Sequence, residues 1–100
     1  MDFIEPRQNE FTIYSKSGCP NCMKIKALLK EKHLLFTIVD CDEYLIEDKS
    51  GFLFFINQLS NKEVTMFPII FYDNKFVGNY NETLTFVDKL LLSFDDNFSF

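Results

Sequence analysis

The chain has no apolar run long enough to span a bilayer. Its first ten residues, Met1 to Glu10, lack the charged-then-apolar pattern of a secretory leader. The expectation is a protein of a reducing compartment, the cytoplasm, with no membrane partner. Positive charge is scarce as well. Lys and Arg number 10 against 15 Asp and Glu, for a formal net charge of -5. Non-specific nucleic-acid binding needs a basic face, so a nucleic-acid partner is not expected. Cysteine and histidine are few, at three and one. Zinc held by the close pair Cys19 and Cys22 would need further ligands, and Cys41 and His33 alone remain, so no metal is expected. Repeats, low-complexity tracts and linkers are also missing. What is plentiful is core material: 47% of residues are hydrophobic and 13 are Phe. A chain of 100 residues has room for one modest core, so residues 1–100 read as a single domain. Its core spans about 10–93, with a polar lead-in at 1–9 and a tail at 94–100. Phe94, Phe98 and Phe100 in that tail either pack on the domain or form a sticky end.

Hydrophobic periodicity places the elements. Glu10–Ser15 reads as a strand with Phe11, Ile13 and Ser15 on one face and Thr12 and Tyr14 on the other. Pro20–Lys32 reads as a helix that turns Met23, Ile25, Ala27, Leu28 and Leu29 toward a sheet and leaves Lys24, Lys26 and Lys30 in water. Leu34–Asp40 is apolar on both faces, as for a strand in a covered sheet. Two strands joined by a helix make a right-handed parallel β-α-β unit. Asp42–Asp48 is a candidate start for the next helix. Gly51–Asn61 carries Phe52, Phe55, Ile56 and Leu59 at helical spacing. Pro68–Tyr72 and Lys75–Gly78 read as strands joined by a tight turn at Asp73-Asn74, two residues that tolerate positive φ. Asn81–Ser93 reads as a third helix, with Asn81 as its N-cap and Leu84, Val87, Leu90 and Leu91 as its buried stripe.

The chemistry concentrates at Cys19-Pro20-Asn21-Cys22, between the first strand and the first helix. C-x-x-C at such a junction is the layout of a thiol–disulfide redox site. A helix N-terminus carries partial positive charge from its unpaired N–H groups and aligned peptide dipoles. That charge stabilises a thiolate, so the Cys19 pKa is expected in the range of about 3.5–7.5. Pro20 suits the first helical position, where its missing N–H costs nothing. Cys22 lies one turn on, on the same face, within reach of a disulfide. Cys19 is the expected nucleophile and Cys22 the resolving thiol.

The order β-α-β-α-β-β-α with this motif resembles the glutaredoxins. The resemblance runs from about Phe11 to Leu92. It rests on Tyr14-Ser-Lys-Ser-Gly-Cys-Pro-Asn-Cys22, on Met66-Phe-Pro-Ile-Ile-Phe71 and on Phe76-Val-Gly-Asn-Tyr-Asn-Glu82. It implies an α/β thioredoxin fold: a four-stranded mixed sheet flanked by three helices. It implies an enzyme, a thiol–disulfide oxidoreductase that takes electrons from glutathione. Expected substrates are protein disulfides and glutathionylated proteins; ribonucleotide reductase is one family substrate. A monomer is expected.

The resemblance also implies roles around the cysteines. Lys16 stands where the family has a lysine that supports the thiolate and pairs with the glycine carboxylate of glutathione. Pro68 matches the family's cis proline, which would set the Phe67 backbone beside Cys19 to pair with the glutathione peptide. Gly78 matches the first glycine of a Gly-Gly pair, with Asn79 replacing the second through its tolerance of positive φ. Asn81 and Glu82 stand where the third helix receives the γ-glutamyl carboxylate and ammonium. Gln58 is a candidate for the glycine carboxylate. Asn21 replaces an aromatic residue common between the cysteines. Cys41 reads as an inert, partly buried thiol and His33 as a residue at a helix C-terminus. The run from Phe52 to Ile56 reads as core, with a partner surface as the sharper alternative. Three rival functions stand beside the main one. They are a redoxin fed by thioredoxin reductase, a dimer holding a [2Fe–2S] cluster through Cys19 and two glutathiones, and a non-enzymatic adaptor.

Overall fold

The computed structural model describes residues 2–98. The elements run β1 (Phe11–Ser15), α1 (Pro20–Glu31), β2 (Phe36–Asp40), α2 (Asp42–Ser60), β3 (Ile69–Tyr72), β4 (Lys75–Gly78) and α3 (Tyr80–Phe98). The strands form one sheet in the order β2-β1-β3-β4. β2 is parallel to β1, while β3 is antiparallel to both β1 and β4. This is the expected mixed sheet with three helices.

β1 is buried along its whole length, and its alternation divides the core in two. Tyr14 faces one side, with Ile69 and Phe71 of β3, Val39 and Cys41, and Phe52 and Ile56 of α2. Phe11 and Ile13 face the other, with Ile25 and Leu29 of α1, Ile70 of β3 and Val87 of α3. The sheet is thus a middle layer, covered by α2 on one face and by α1 and α3 on the other.

Several elements differ from the reading of the sequence. β2 is shorter than expected and is not covered on both sides. It stands at the sheet edge, and only Val39 is fully buried, because neighbours reach it from β1 alone. On α1, Met23 and Ala27 are exposed; Cys22, Ile25 and Leu29 form the buried stripe. α2 begins nine residues earlier than Gly51, at Asp42, and Asp48 breaks it (φ -153°, ψ 64°). The Asp48 carboxylate accepts the Gly51 N–H at 3.1 Å, restarting the helix as an internal N-cap. The periodic run from Gly51 is therefore the second half of a bent helix. Phe52 is buried, Phe55 is half-buried and Phe54 is exposed, so most of the Phe-rich run is core.

The N-cap of α3 is Asn79, not Asn81. The Asn79 side chain accepts the Glu82 N–H at 3.0 Å, and the Glu82 carboxylate accepts the Asn79 N–H at 3.1 Å. This reciprocal pair is a capping box, with an Asn in place of the usual hydroxyl. Asn79 accordingly does not use positive φ. The turn residues Asp73 (φ 50°) and Asn74 (φ 65°) do, which matches the twist of the strands they join. α3 continues past Ser93 to Phe98; the packing of the three tail Phe side chains falls outside the described residues. The lead-in is less passive than its polarity implies. Phe3 packs at 5.0–5.6 Å from the rings of Tyr44, Phe52 and Phe55. Tyr14 donates its hydroxyl to the Ile4 carbonyl at 2.6 Å.

Phe52 touches the rings of Phe3, Tyr14, Tyr44, Phe55 and Phe67. Phe52→Ala leaves a cavity that rigid neighbours cannot fill, and it should cost about 3–5 kcal/mol in urea unfolding. A loss below about 1 kcal/mol would mean that the aromatic cluster collapses freely around the gap.

Candidate active site

β1 ends at Ser15, and the chain turns through Lys16, Ser17 and Gly18 into α1. Gly18 takes a left-handed conformation (φ 71°) with open space where a side chain would project, so the glycine serves backbone shape rather than fit. Cys19 follows as the N-cap of α1, and its sulfur accepts the Cys22 N–H at 3.1 Å. The thiol side chain thus takes the place of the usual capping oxygen, on the axis of the helix dipole. Pro20 stands at the start of the helix, as expected. Cys19 and Cys22 are joined as a disulfide with their Cα atoms 5.3 Å apart. Cys19 is 9% exposed and Cys22 1%. Both cysteines are buried, and the outer one keeps the larger share of accessible surface.

The Phe67–Pro68 peptide bond is cis, as the resemblance implied. Lys16 sets its ammonium 5.5 Å from the centre of the Phe67 ring. Three cavities meet around these residues. One, of about 240 Å³, is lined by both cysteines, Lys16, Met23, Lys26 and Asp40. A second, of about 190 Å³, lies between Met66, Pro68, Gly78, Asn79 and Glu82. A third, of about 300 Å³, has Lys16 and Lys49 with Phe67, Leu45 and Leu53. The structure therefore gathers Lys16, Cys19, Cys22, Phe67, Pro68, Gly78 and Glu82 along one end of the sheet. Gln58 is exposed on α2, and Asn81 is exposed on the first turn of α3. Neither lines these cavities. Glu82 commits one carboxylate oxygen to the capping box.

Two residues at the site escape a reading of the sequence. Lys49 shares the third cavity with Lys16, from the stretch of α2 that shows no clear periodicity. Asp42 accepts hydrogen bonds from both the amide (2.8 Å) and the hydroxyl of Ser17. The two lie 25 residues apart in sequence, and no local pattern connects them. Asn79 could have been found: Asn-x-x-Glu before an apolar run has capping-box spacing.

Cys41 lies behind the site, fully buried. Its thiol donates to the Val39 carbonyl at 3.4 Å, and its amide donates to the Ser15 carbonyl at 2.8 Å. Burial pushes the thiol pKa up to about 12, with the charges of Asp40 and Asp42 adding to it against the lowering contact with the Ser15 backbone. Burial also raises the Tyr14 hydroxyl well above its ordinary value, with Cys41, Tyr44 and Glu5 adding. Among the described residues no group of three or more His, Cys, Asp or Glu side chains is arranged to hold a metal ion.

Fold and site together define a thioredoxin-fold thiol–disulfide oxidoreductase, with a slightly accessible outer and a fully shielded inner cysteine at the head of α1. Comparison with known proteins narrows the class. The glutaredoxin family model matches residues 11–77. Glutaredoxin 1 of Rickettsia typhi is 32% identical over 84 residues, covering 79% of this chain and 76% of that protein. Glutaredoxin 1 of Rickettsia felis is 36% identical over 66 residues, covering 66% of this chain and 60% of that one. Among solved structures, glutaredoxin 1 of Francisella tularensis, crystallised with cacodylate, superposes with a TM-score of 0.71 at 29% identity, covering 81% of this chain and 94% of that one. Reduced Escherichia coli glutaredoxin superposes with a TM-score of 0.64 at 26% identity, over 81% and 95% of the two chains. The chain belongs to the glutaredoxin family.

Cys41 should resist iodoacetamide in the native protein at pH 7, where its thiol is buried and neutral. Its folded pKa lies above its ordinary value, so its contribution to stability is complete below pH 9 and is lost as pH rises toward 12. Unfolding midpoints should therefore fall more steeply above pH 9 in the wild type than in Cys41→Ala. Parallel curves would remove Cys41 from the alkaline limb.

Proposed function

We propose that this protein uses glutathione to reduce protein disulfides and glutathione mixed disulfides through Cys19 and Cys22. The observation that carries this reading is the Cys19 sulfur acting as the cap of α1, with the Cys22 N–H on it at 3.1 Å. In the reduced protein the same N–H and helix end meet a thiolate and stabilise its charge.

The Cys19 thiolate attacks the glutathione sulfur of a mixed disulfide. The old S–S bond breaks, the substrate leaves as a thiolate that takes up a proton, and Cys19 is left bonded to glutathione. A second glutathione thiolate attacks that glutathione sulfur, releasing oxidised glutathione and the Cys19 thiolate. With a protein disulfide, Cys19 forms a mixed disulfide with one substrate sulfur, and Cys22 then attacks Cys19. The substrate leaves with both thiols reduced and the Cys19–Cys22 disulfide forms; two glutathiones return it to the dithiol. The disulfide in the structure is the oxidised end of that second route. A potential of about -200 to -230 mV is ordinary for such a protein.

Glutathione suits the surface around Cys19. Lys16 and Lys49 offer two cations to its glycine carboxylate beside the apolar Phe67, Leu45 and Leu53. The Phe67 backbone, turned by Pro68, supplies extended peptide for pairing. The cavity beside Gly78 and Glu82 lies toward the start of α3, on the side of the γ-glutamyl end. Lys49 here replaces Gln58 as the α2 residue facing the carboxylate. Substrates are proteins whose disulfide or glutathionylated cysteine can reach Cys19 at the sheet end, ribonucleotide reductase being one kind.

Glutathione-coupled turnover of a small mixed disulfide tests this. Cys19→Ser should abolish activity and Cys22→Ser should retain it. Lys49→Ala should raise the KM for the glutathionylated substrate about three- to tenfold, with kcat little changed. Absence of glutathione-driven turnover, in a protein whose Cys19 still alkylates rapidly at neutral pH, would transfer the reading to thioredoxin reductase as the electron source.

A further inference from the structure

The turn that delivers Cys19 is not held by packing. Gly18 has open space where a side chain would project, and Lys16, Ser17 and Gly18 are exposed. It is held instead by the β2–α2 junction, where the adjacent residues Cys41 and Asp42 bond to Ser15 and Ser17. The Cys41 amide donates to the Ser15 carbonyl at 2.8 Å, at the end of β1. The Ser17 amide donates to one Asp42 carboxylate oxygen at 2.8 Å, and the Ser17 hydroxyl donates to the other. Two donors from one residue on one carboxylate fix orientation as well as distance. Asp42 is itself fixed, since its amide donates to the Asp40 carboxylate at 3.0 Å. Lys16 lies between the two anchored residues, and Gly18 and Cys19 follow directly.

We propose that Asp42 is a positioning residue for the Cys19 thiolate, acting through Ser17 to fix the turn that sets Lys16 and Cys19 in place. The proposal rests on Cys19 as the nucleophile and does not depend on which reductant serves it. The Ser17 hydroxyl and then the Ser17 amide hold the Asp42 carboxyl below its usual range, against a small opposing effect of desolvation and with help from Lys16. The clamp is therefore charged at neutral pH. The charged and titratable groups around Cys19 are Lys16 on the turn, Cys22 and Lys26 on α1, Asp40 on β2 and Asp42 on α2; Phe67 and Pro68 close the β3 side.

Two effects of Asp42 have opposite signs, which makes the question decidable. As a bare negative charge it disfavours a nearby thiolate, so its removal would lower the Cys19 pKa. As a clamp it holds the groups that favour the thiolate, so its removal raises that pKa. A merely structural role in the first turn of α2 would move stability and leave the pKa alone. The experiment is the pH dependence of iodoacetamide alkylation at Cys19 in the reduced full chain, located by mass spectrometry. The variants are Asp42→Ala, Ser17→Ala and Ser17→Thr.

The proposal expects the midpoint to rise by about half a unit to one unit in Asp42→Ala. That is roughly three- to tenfold less thiolate at pH values below it. Ser17→Ala should shift it the same way by less, because its amide bond remains, and Ser17→Thr should restore the wild-type midpoint. A lower or unchanged midpoint in Asp42→Ala would overturn the proposal. If Asp42→Ala does not fold, Ser17→Ala decides, since Ser17 is outside α2: an unchanged midpoint there is equally fatal. A wild-type midpoint near that of a free cysteine would instead remove Cys19 as the activated nucleophile, and the proposal with it.

Discussion

β1 is hydrogen-bonded on both edges, and every part of the site is placed relative to its last residue. Its ladder to β2 runs in register from Phe11 and Phe36 to Ser15 and Asp40, so the two chain crossings beyond it emerge side by side. One crossing leads into α1 and carries Cys19. The other leads into α2 and carries Cys41 and Asp42. On the opposite edge, β3 starts one residue after Pro68, which brings the Phe67–Pro68 bond to the same end of the sheet. A fully buried strand thus gathers three loops at one end of the sheet.

The division of labour across the two faces follows. The α1 and α3 face has a mainly aliphatic buried centre, edged by the rings of Phe11, Tyr72 and Phe86, and holds the helix that Cys19 caps. The α2 face is aromatic, built around Phe52 and Tyr14. Phe67 joins that aromatic cluster, stacked at 6.3 Å on Phe52, while also receiving Lys16. The residue before the cis proline is therefore anchored in the core, which limits how far this edge of the cavity can move.

The general plan and the redox pair were readable from sequence because each depends on local pattern. Alternation in β1, helical spacing after Pro20 and in α3, and the Asp73-Asn74 turn are short-range signals, and C-x-x-C carries its meaning within four residues. What could not be read depends on partners distant in the chain. The exposure of β2 follows from strand order, which hydrophobicity does not encode. The first half of α2 hides because Asp48 interrupts its period and the exposed Ile46 (84%) blurs its face. Asp42 acquires its role only when β1 and β2 pair. Gln58, chosen by family position, is exposed on the second half of α2, while Lys49, next to the break at Asp48, lines a cavity with Lys16. Glu82 is the middle case, since the helix-capping and glutathione-facing readings share one carboxylate.

The physical unit of this protein is wider than the stretch by which kinship is recognised. The family match opens at residue 11 and closes at 77. Yet the aromatic cluster is completed by Phe3, the Tyr14 hydroxyl bonds to Ile4, and Val87 seals the other face. The strands and the motif lie inside the matched stretch, while part of the packing that closes each face is supplied from outside it. A fragment cut to residues 11–77 would therefore keep the redox motif and lose one wall from each half of the core.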